Sequence, residues 1–380
     1  MDLNRKSYFK NARRIVVKVG SGVLAGTDGL NGAAIRSISK QICDLMSQGV
    51  EVILVSSGAM VSGMKKISLD KRPDDIPRQQ AVAAIGQAGL ILAYEKAFSQ
   101  CGKNVAQILL TSDDFSNRKR YLNARNTFNT LLSWGVVPIV NENDTVAVEE
   151  IKVGDNDNLA AMMTVLMDAD LLINLTDIDG LYTASPREDP DAKRLPVVAS
   201  INKDIEAFAS AIPGALGTGG MLSKVISARK VTAAGIPQVI ANGLERGILA
   251  ALFAGKDKGT FFVPKEKRLA SRKCWIAFSL KPKGGLVVDR GAADAMVRKG
   301  KSLLPTGVVD VEGEFGVGAP VEFRRIEGDV VGKGLANYSA ADIRKIMGLH
   351  SNQIKDRLGT KPYDEIIHRD NLVITGDGTD

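Results

Sequence analysis

The chain has 380 residues and a mass of 40.6 kDa, with 44% apolar residues, 24% charged residues and a formal charge of +7. Single cores stop growing at about 250–300 residues, so this length implies two domains, and the composition excludes a wholly disordered chain. Apolar runs such as 159–167 fall well short of the about 20 residues that cross a bilayer, and residues 1–14 lack a signal-like apolar core, so a soluble, cytoplasmic protein with no membrane partner is expected.

Short β-branched runs at 14–19, 50–55, 104–109, 136–141, 170–175 and 238–242 alternate with helix-length amphipathic segments. This pattern predicts an α/β fold built on a doubly wound, mostly parallel sheet. The almost continuously apolar runs 50–55 and 171–175 read as strands covered on both faces, hence central. Nine lysines and arginines between 256 and 283 face only Asp257 and Glu266, which suggests a basic linker, either a solvated connector or a contact for RNA or another polyanion. Beyond it, glycine-bearing strands at 285–288, 307–312, 321–325 and 329–334, with helices at 292–299 and 340–346, predict a small β-rich domain. The expected division is therefore 1–258 catalytic domain, 259–276 linker, 277–357 second domain and 358–380 tail, with 375–380 frayed. Cys43, Cys101 and Cys274 lie far apart in sequence without a CxxC pair, so neither a disulfide framework nor a cysteine zinc site is indicated.

In doubly wound sheets ligands bind beyond the carboxyl ends of the strands, and polar and glycine-rich residues collect there. Lys18-Val-Gly-Ser-Gly22 follows the first strand, Ser56-Ser-Gly-Ala59 the second, Asn141-Glu-Asn-Asp144 the fourth and Thr176-Asp-Ile-Asp-Gly180 the fifth. The segment 141–159 packs eight short amides and carboxylates around one glycine, a density suited to gripping a small zwitterion. Two elements fit phosphate groups: Lys18 beside a Gly-Ser-Gly turn, and the glycine-rich stretch 214–224, which leads into a helix and ends in Lys224. Neither is a Walker loop, and the superficial match at Gly300-Lys-Ser302 fails because position 295 is alanine. The two histidines, His350 and His368, lie outside the expected catalytic domain, which disfavours a Ser-His-Asp triad or a histidine metal cluster. Phosphoryl transfer to a carboxylate needs no histidine, because a carboxylate of pKa about 4.3 is already ionised at neutral pH.

These motifs resemble the glutamate 5-kinase branch of the amino acid kinase family. The carriers are Val16-Val-Lys-Val-Gly20, Val55-Ser-Ser-Gly-Ala59, Val140-Asn-Glu-Asn-Asp144, Ile151 through Leu159, Leu175-Thr-Asp177, Gly180-Leu-Tyr-Thr183, and Gly217-Thr-Gly-Gly-Met221 with Lys224. The segment after residue 277 resembles a PUA domain, a module of RNA-modifying enzymes, through Gly285-Leu-Val-Val-Asp-Arg-Gly-Ala292, Lys301-Ser-Leu-Leu-Pro305 and Val311-Glu-Gly-Glu-Phe315. The resemblance implies transfer of the ATP γ-phosphoryl group to the side-chain carboxylate of L-glutamate with Mg²⁺, giving glutamyl 5-phosphate for proline synthesis. In that reading Lys18 and Lys224 flank the transferred group and Asp157 orients both lysines. Ser57, Asp144 and Asn156 hold glutamate, while Thr176, Asp177, Thr218, Gly219, Gly220, Met221, Leu222, Ser223 and Lys224 hold ATP. It further implies a homodimer or homotetramer, feedback by proline, functional coupling to glutamyl phosphate reductase and a PUA domain that binds RNA or serves regulation. Ser21-Gly22 departs from the Thr-Ser common in the family, and Gly22 bears on the stiffness of that loop.

Overall fold

A computed structural model describes residues 5–147, 156–186, 188–212, 220–266 and 268–375. The chain divides into two compact units, Met1–Arg268 and Leu269–Asp380.

In the first unit the strands of the main sheet are β1 (Arg14–Val19), β2 (Glu51–Ser56), β3 (Val105–Leu110), β4 (Val137–Glu142), β5 (Leu171–Thr176), β6 (Val197–Val198), β7 (Gln238–Asn242) and β8 (Thr260–Phe262). They form one sheet in the order β3-β4-β2-β1-β5-β7-β8-β6, parallel except for the β7–β8 pair. The two almost wholly apolar strands, β2 and β5, flank β1 at the centre, and every residue of β5 is buried. Side chains alternate across β1. Val17 and Val19 enter the main core with helices α1 (Gly32–Ser47) and α3 (Ile76–Ser99), while Lys18 belongs to the opposite face.

Helix α2 (Ala59–Lys66) lies against α3 at backbone contact. A Cβ on Gly86 would meet the Ala59 carbonyl at 1.8 Å, and one on Gly63 would meet the Val82 carbonyl at 1.9 Å, so both positions exclude any side chain. Helix α4 (Arg118–Ser133) covers the β4 side, and α5 (Asn156–Leu166) and α6 (Met221–Ala233) pack together. Every residue of α5 from Leu159 to Leu166 is buried, as expected of a helix that is apolar all round.

The second unit holds helix α7 (Ser271–Ser279), strand β9 (Gly284–Val288), helix α8 (Arg290–Lys299), strands β10 (Val308–Glu312), β11 (Pro320–Arg325) and β12 (Val330–Leu335), helix α9 (Ala340–Ile346) and strand β13 (Leu372–Ile374). Its sheet runs β10-β9-β11-β12-β13, with only β9 and β11 parallel, over a core that includes Leu286, Phe323, Ile343 and Ile367.

Two expectations change. Residues 259–276 are not a linker throughout: Thr260–Phe262 join the first sheet between β7 and β6, and Ser271–Ser279 form a helix with Cys274, Trp275 and Ile276 buried against the second sheet. Their charges mask an apolar face. Within the segment expected as a tail, Leu372–Ile374 form β13, which pairs with β12. The frayed tail expected at 375–380 lies, Thr375 apart, outside the described residues.

Candidate active site

Asp157, in the first turn of α5, is fully buried, and lysines from two other elements converge on it. Its Oδ1 lies 2.5 Å from Nζ of Lys18 on β1, and its Oδ2 lies 3.2 Å from Nζ of Lys224 in the first turn of α6. Both lysines are only 4% exposed. Ser223 donates its hydroxyl to the same Oδ2 at 2.5 Å, and Lys224 also reaches the carbonyl of Gly220 at 3.3 Å. Burial alone would raise the Asp157 pKa, but the two ammonium groups and the hydrogen bonds from Lys18 and Ser223 outweigh it and hold the carboxyl well below the usual range. The cluster therefore carries two positive charges and one negative charge in a site nearly closed to water.

Beside it the neighbouring residue of the same turn starts a second network. Asn156 donates from Nδ2 to Ser57 Oγ at 3.0 Å and to Asn141 Oδ1 at 2.9 Å, and Asn141 donates in turn to Gln87 Oε1 at 2.8 Å. With both donors so used, Asn156 Oδ1 is buried and has no partner among the described residues, which leaves an acceptor for a ligand donor. Asp144 lies two residues beyond the end of β4. Burial pushes its pKa up to about 6 against a lowering by Arg72. Gln87 and Arg72 were missed in sequence. Gln87 had a readable signal, a polar residue on a helical face otherwise lined by Ala83, Leu90, Tyr94 and Ala97.

The strand-end loops lie as the chain order implies. The Gly20 N–H is spent on the Leu175 carbonyl at 2.9 Å, and Ser21–Leu24 form a single helical turn. Thr176 donates its hydroxyl to Asp177 Oδ1 at 3.1 Å. A Cβ at Gly22 would stand 3.0 Å from Asp177 Cγ, so the absent side chain makes room for that carboxylate. Met221 is buried in a cluster with Val225, Ala228 and Ile240, so its side chain serves packing, and Leu222 is exposed. Thr218 and Gly219 lie outside the described residues, as do 151–155. Among the described residues no group of three or more His, Cys, Asp or Glu side chains could hold a metal ion.

The geometry defines a phosphotransferase site in which cations and a buried acceptor network meet at the carboxyl end of a parallel sheet. The family profile described as "Amino acid kinase family" matches residues 13–242 and that described as "PUA domain" matches residues 284–358. The chain is 50% identical to the glutamate 5-kinase of Syntrophotalea carbinolica, over 97% of this chain and 99% of that one. It is 49% identical to the glutamate 5-kinases of Syntrophus aciditrophicus (98% and 97% covered) and Geobacter sulfurreducens (97% and 100%). The chain belongs to the amino acid kinase family and, within it, to the glutamate 5-kinases.

Proposed function

We propose that this chain transfers the γ-phosphoryl group of ATP to the side-chain carboxylate of L-glutamate, giving L-glutamyl 5-phosphate, the first step of proline biosynthesis. The observation that carries the reading is the Lys18–Asp157–Lys224 cluster beside the Asn156 network. A carboxylate oxygen of glutamate attacks the γ-phosphorus, the bond to the β–γ bridging oxygen breaks, and ADP leaves. No proton moves and no phosphoenzyme forms. Lys18 and Lys224 neutralise the charge spread over the migrating group, and Asp157 fixes their spacing before substrate arrives. Asn156 Oδ1 and Asp144 accept from the α-ammonium group, and Ser57 orients the acceptor. In this reading Thr176, Asp177 and, as the family resemblance implies, residues 218–224 bind the nucleotide.

Mg²⁺ belongs to the same proposal as an ion carried on phosphate oxygens and water. The described residues offer it no carboxylate cage, and both oxygens of Asp157 face lysines, so phosphate oxygens and water would be its main ligands, where it would offset phosphate charge. Family membership is likewise the support for homo-oligomeric assembly, proline feedback and coupling to a glutamyl phosphate reductase. Cytoplasmic location rests on an intracellular substrate pair; among the described residues no helix is long and apolar enough to cross a membrane.

The test is an ATP-dependent hydroxamate assay with glutamate, aspartate and N-acetylglutamate offered in parallel. Product with glutamate alone is expected, and preference for N-acetylglutamate would overturn the role given to Asp144, whose partner that compound lacks.

The raised pKa of Asp144 has a measurable consequence. Below about pH 6 the carboxyl takes a proton and loses its attraction for an ammonium group, so the glutamate KM should climb by up to about tenfold per pH unit in that range. Asp144→Asn should raise KM at neutral pH and abolish that climb. Because the folded pKa lies above the unfolded one, the ionised carboxyl also costs stability at neutral pH, so the same variant should melt at a higher temperature. A KM that follows the same pH curve in both proteins would remove Asp144 from the site.

A further inference from the structure

Helix α3 carries two amide side chains, Gln80 and Gln87, two helical turns apart and hence on one face, and both reach the segment that holds Asp144. Gln87 Oε1 accepts from Asn141 Nδ2 at 2.8 Å, and Gln80 donates from Nε2 to the Ala147 carbonyl at 3.1 Å. The helix thus grips that segment three residues before Asp144 and three residues after it. Gly86, beside Gln87, stands against the Ala59 carbonyl, two residues beyond Ser57. The bonds from Gln87 through Asn141 and Asn156 to Ser57 therefore close a ring across α3, β4, α5 and the end of β2.

Three amides in series admit two directions. In the structure donation runs from Asn156 to Asn141 to Gln87, and Asn156 Oδ1 is the acceptor left over. In the reverse direction Gln87 donates to Asn141, Asn141 donates to Asn156, and Asn156 turns an NH₂ group outward. No amide turns alone, because NH₂ would then face NH₂, or oxygen face oxygen. We propose that Gln87 and Gln80 are positioning residues of the acceptor site: the carbonyl oxygen of Gln87 ends the amide chain in the direction that offers Asn156 Oδ1 to a ligand ammonium group, and Gln80 holds the far end of the Asp144 segment. The inference rests on the proposed amino-acid acceptor. Gln87 is 9% and Asn141 3% exposed, so water competes little for the bond between them. Gln87 Nε2 is buried without a partner among the described residues. An orphaned buried donor costs stability, and reversal of the chain would give that nitrogen a partner while turning a donor toward the ammonium group. The observed direction thus favours the ligand over the local hydrogen-bond balance.

The experiment measures kcat and the KM values of glutamate and ATP at about pH 8, above the ordinary range of carboxyl groups, with a thermal melt of each protein. The full chain is compared with Gln87→Met, Gln87→Glu and Gln80→Met. Gln87→Met keeps the side-chain length and removes the oxygen, so the glutamate KM should rise roughly tenfold while kcat and the ATP KM stay within about twofold. Gln87→Glu keeps an oxygen acceptor and has no NH₂, so only the observed direction survives and the glutamate KM should stay within about twofold of the unsubstituted value. Gln80→Met, at a half-buried position, should raise the glutamate KM roughly threefold with kcat kept. An unchanged glutamate KM in Gln87→Met removes Gln87 from the acceptor site. A rise in Gln87→Glu above about tenfold overturns the direction of the chain, a result that stands even if Gln87→Met does not fold. Parallel losses in kcat and in both KM values overturn the positioning role in favour of general support of the fold. Absence of product from glutamate with the unsubstituted protein would instead overturn the proposed function, before any variant is compared.

Discussion

Replacing Asp157 by asparagine is expected to lower kcat by about 10²–10³ and to cost about 3–5 kcal/mol of folding stability at neutral pH. Both effects have one origin. The carboxylate is the counter-ion of two lysines that are 4% exposed, and its removal leaves two like charges facing each other in a low-dielectric site. The lysines then move apart or shed protons, and either outcome spoils the charge pattern that meets the migrating phosphoryl group. Steady-state kinetics and urea unfolding check the two effects separately. The pH dependence of unfolding adds a third readout. The folded pKa of Asp157 lies below its unfolded value of about 3.9, so its contribution is full above that value and is lost as pH falls through the folded one. The asparagine variant should lack this acid limb. An Asp157→Asn protein with unchanged kcat would show that the lysines are placed by something else.

Lys224→Ala is expected to lower kcat by about 10²–10³ while the glutamate KM changes by no more than about threefold. A lysine that meets charge appearing on the migrating group acts in the transition state, and among the described residues the bonds of Lys224 run to Asp157 and Gly220 rather than to the Asn156 network proposed to face the amino acid. The stability loss should be smaller than for Asp157→Asn, because a buried pair of one lysine and one carboxylate remains balanced. Lys224→Arg should not restore the rate, since the planar guanidinium cannot fill the compact volume between Asp157 Oδ2 and the Gly220 carbonyl. A rise in KM with kcat preserved would assign Lys224 to ground-state binding instead.

The large parallel sheet was legible because its strands are short β-branched runs bracketed by helices, and the six expected runs match β1 to β5 and β7 within a residue or two. Strands of two or three residues, such as β6 and β8, carry too few side chains to show a period. Helix α7 was hidden because Arg272 and Lys273 at its start belong to a run of positive charge that reads as solvated. In the site, residue types and loop positions were readable, since amides, glycines and lysines at strand ends have few purely structural reasons to gather. The contacts were not. Asn156 and Ser57 are 99 positions apart, and the parallel pairing of β2 with β4, whose Asn141 also accepts from Asn156, brings them together.

Asn156 and Asp157 occupy successive positions at the start of one buried helix, so the amide proposed to face the acceptor and the counter-ion of the two lysines move as a single rigid body. Any drift of that helix which loosens the grip on the amino acid also changes the gap between the cations. Acceptor preference therefore cannot be retuned by shifting α5 without detuning the phosphoryl site. New selectivity has to come from the Ser57 and Asp144 loops, which carry no part of the charge cluster, and a library aimed at other acidic acceptors should vary those loops and leave 156–157 alone.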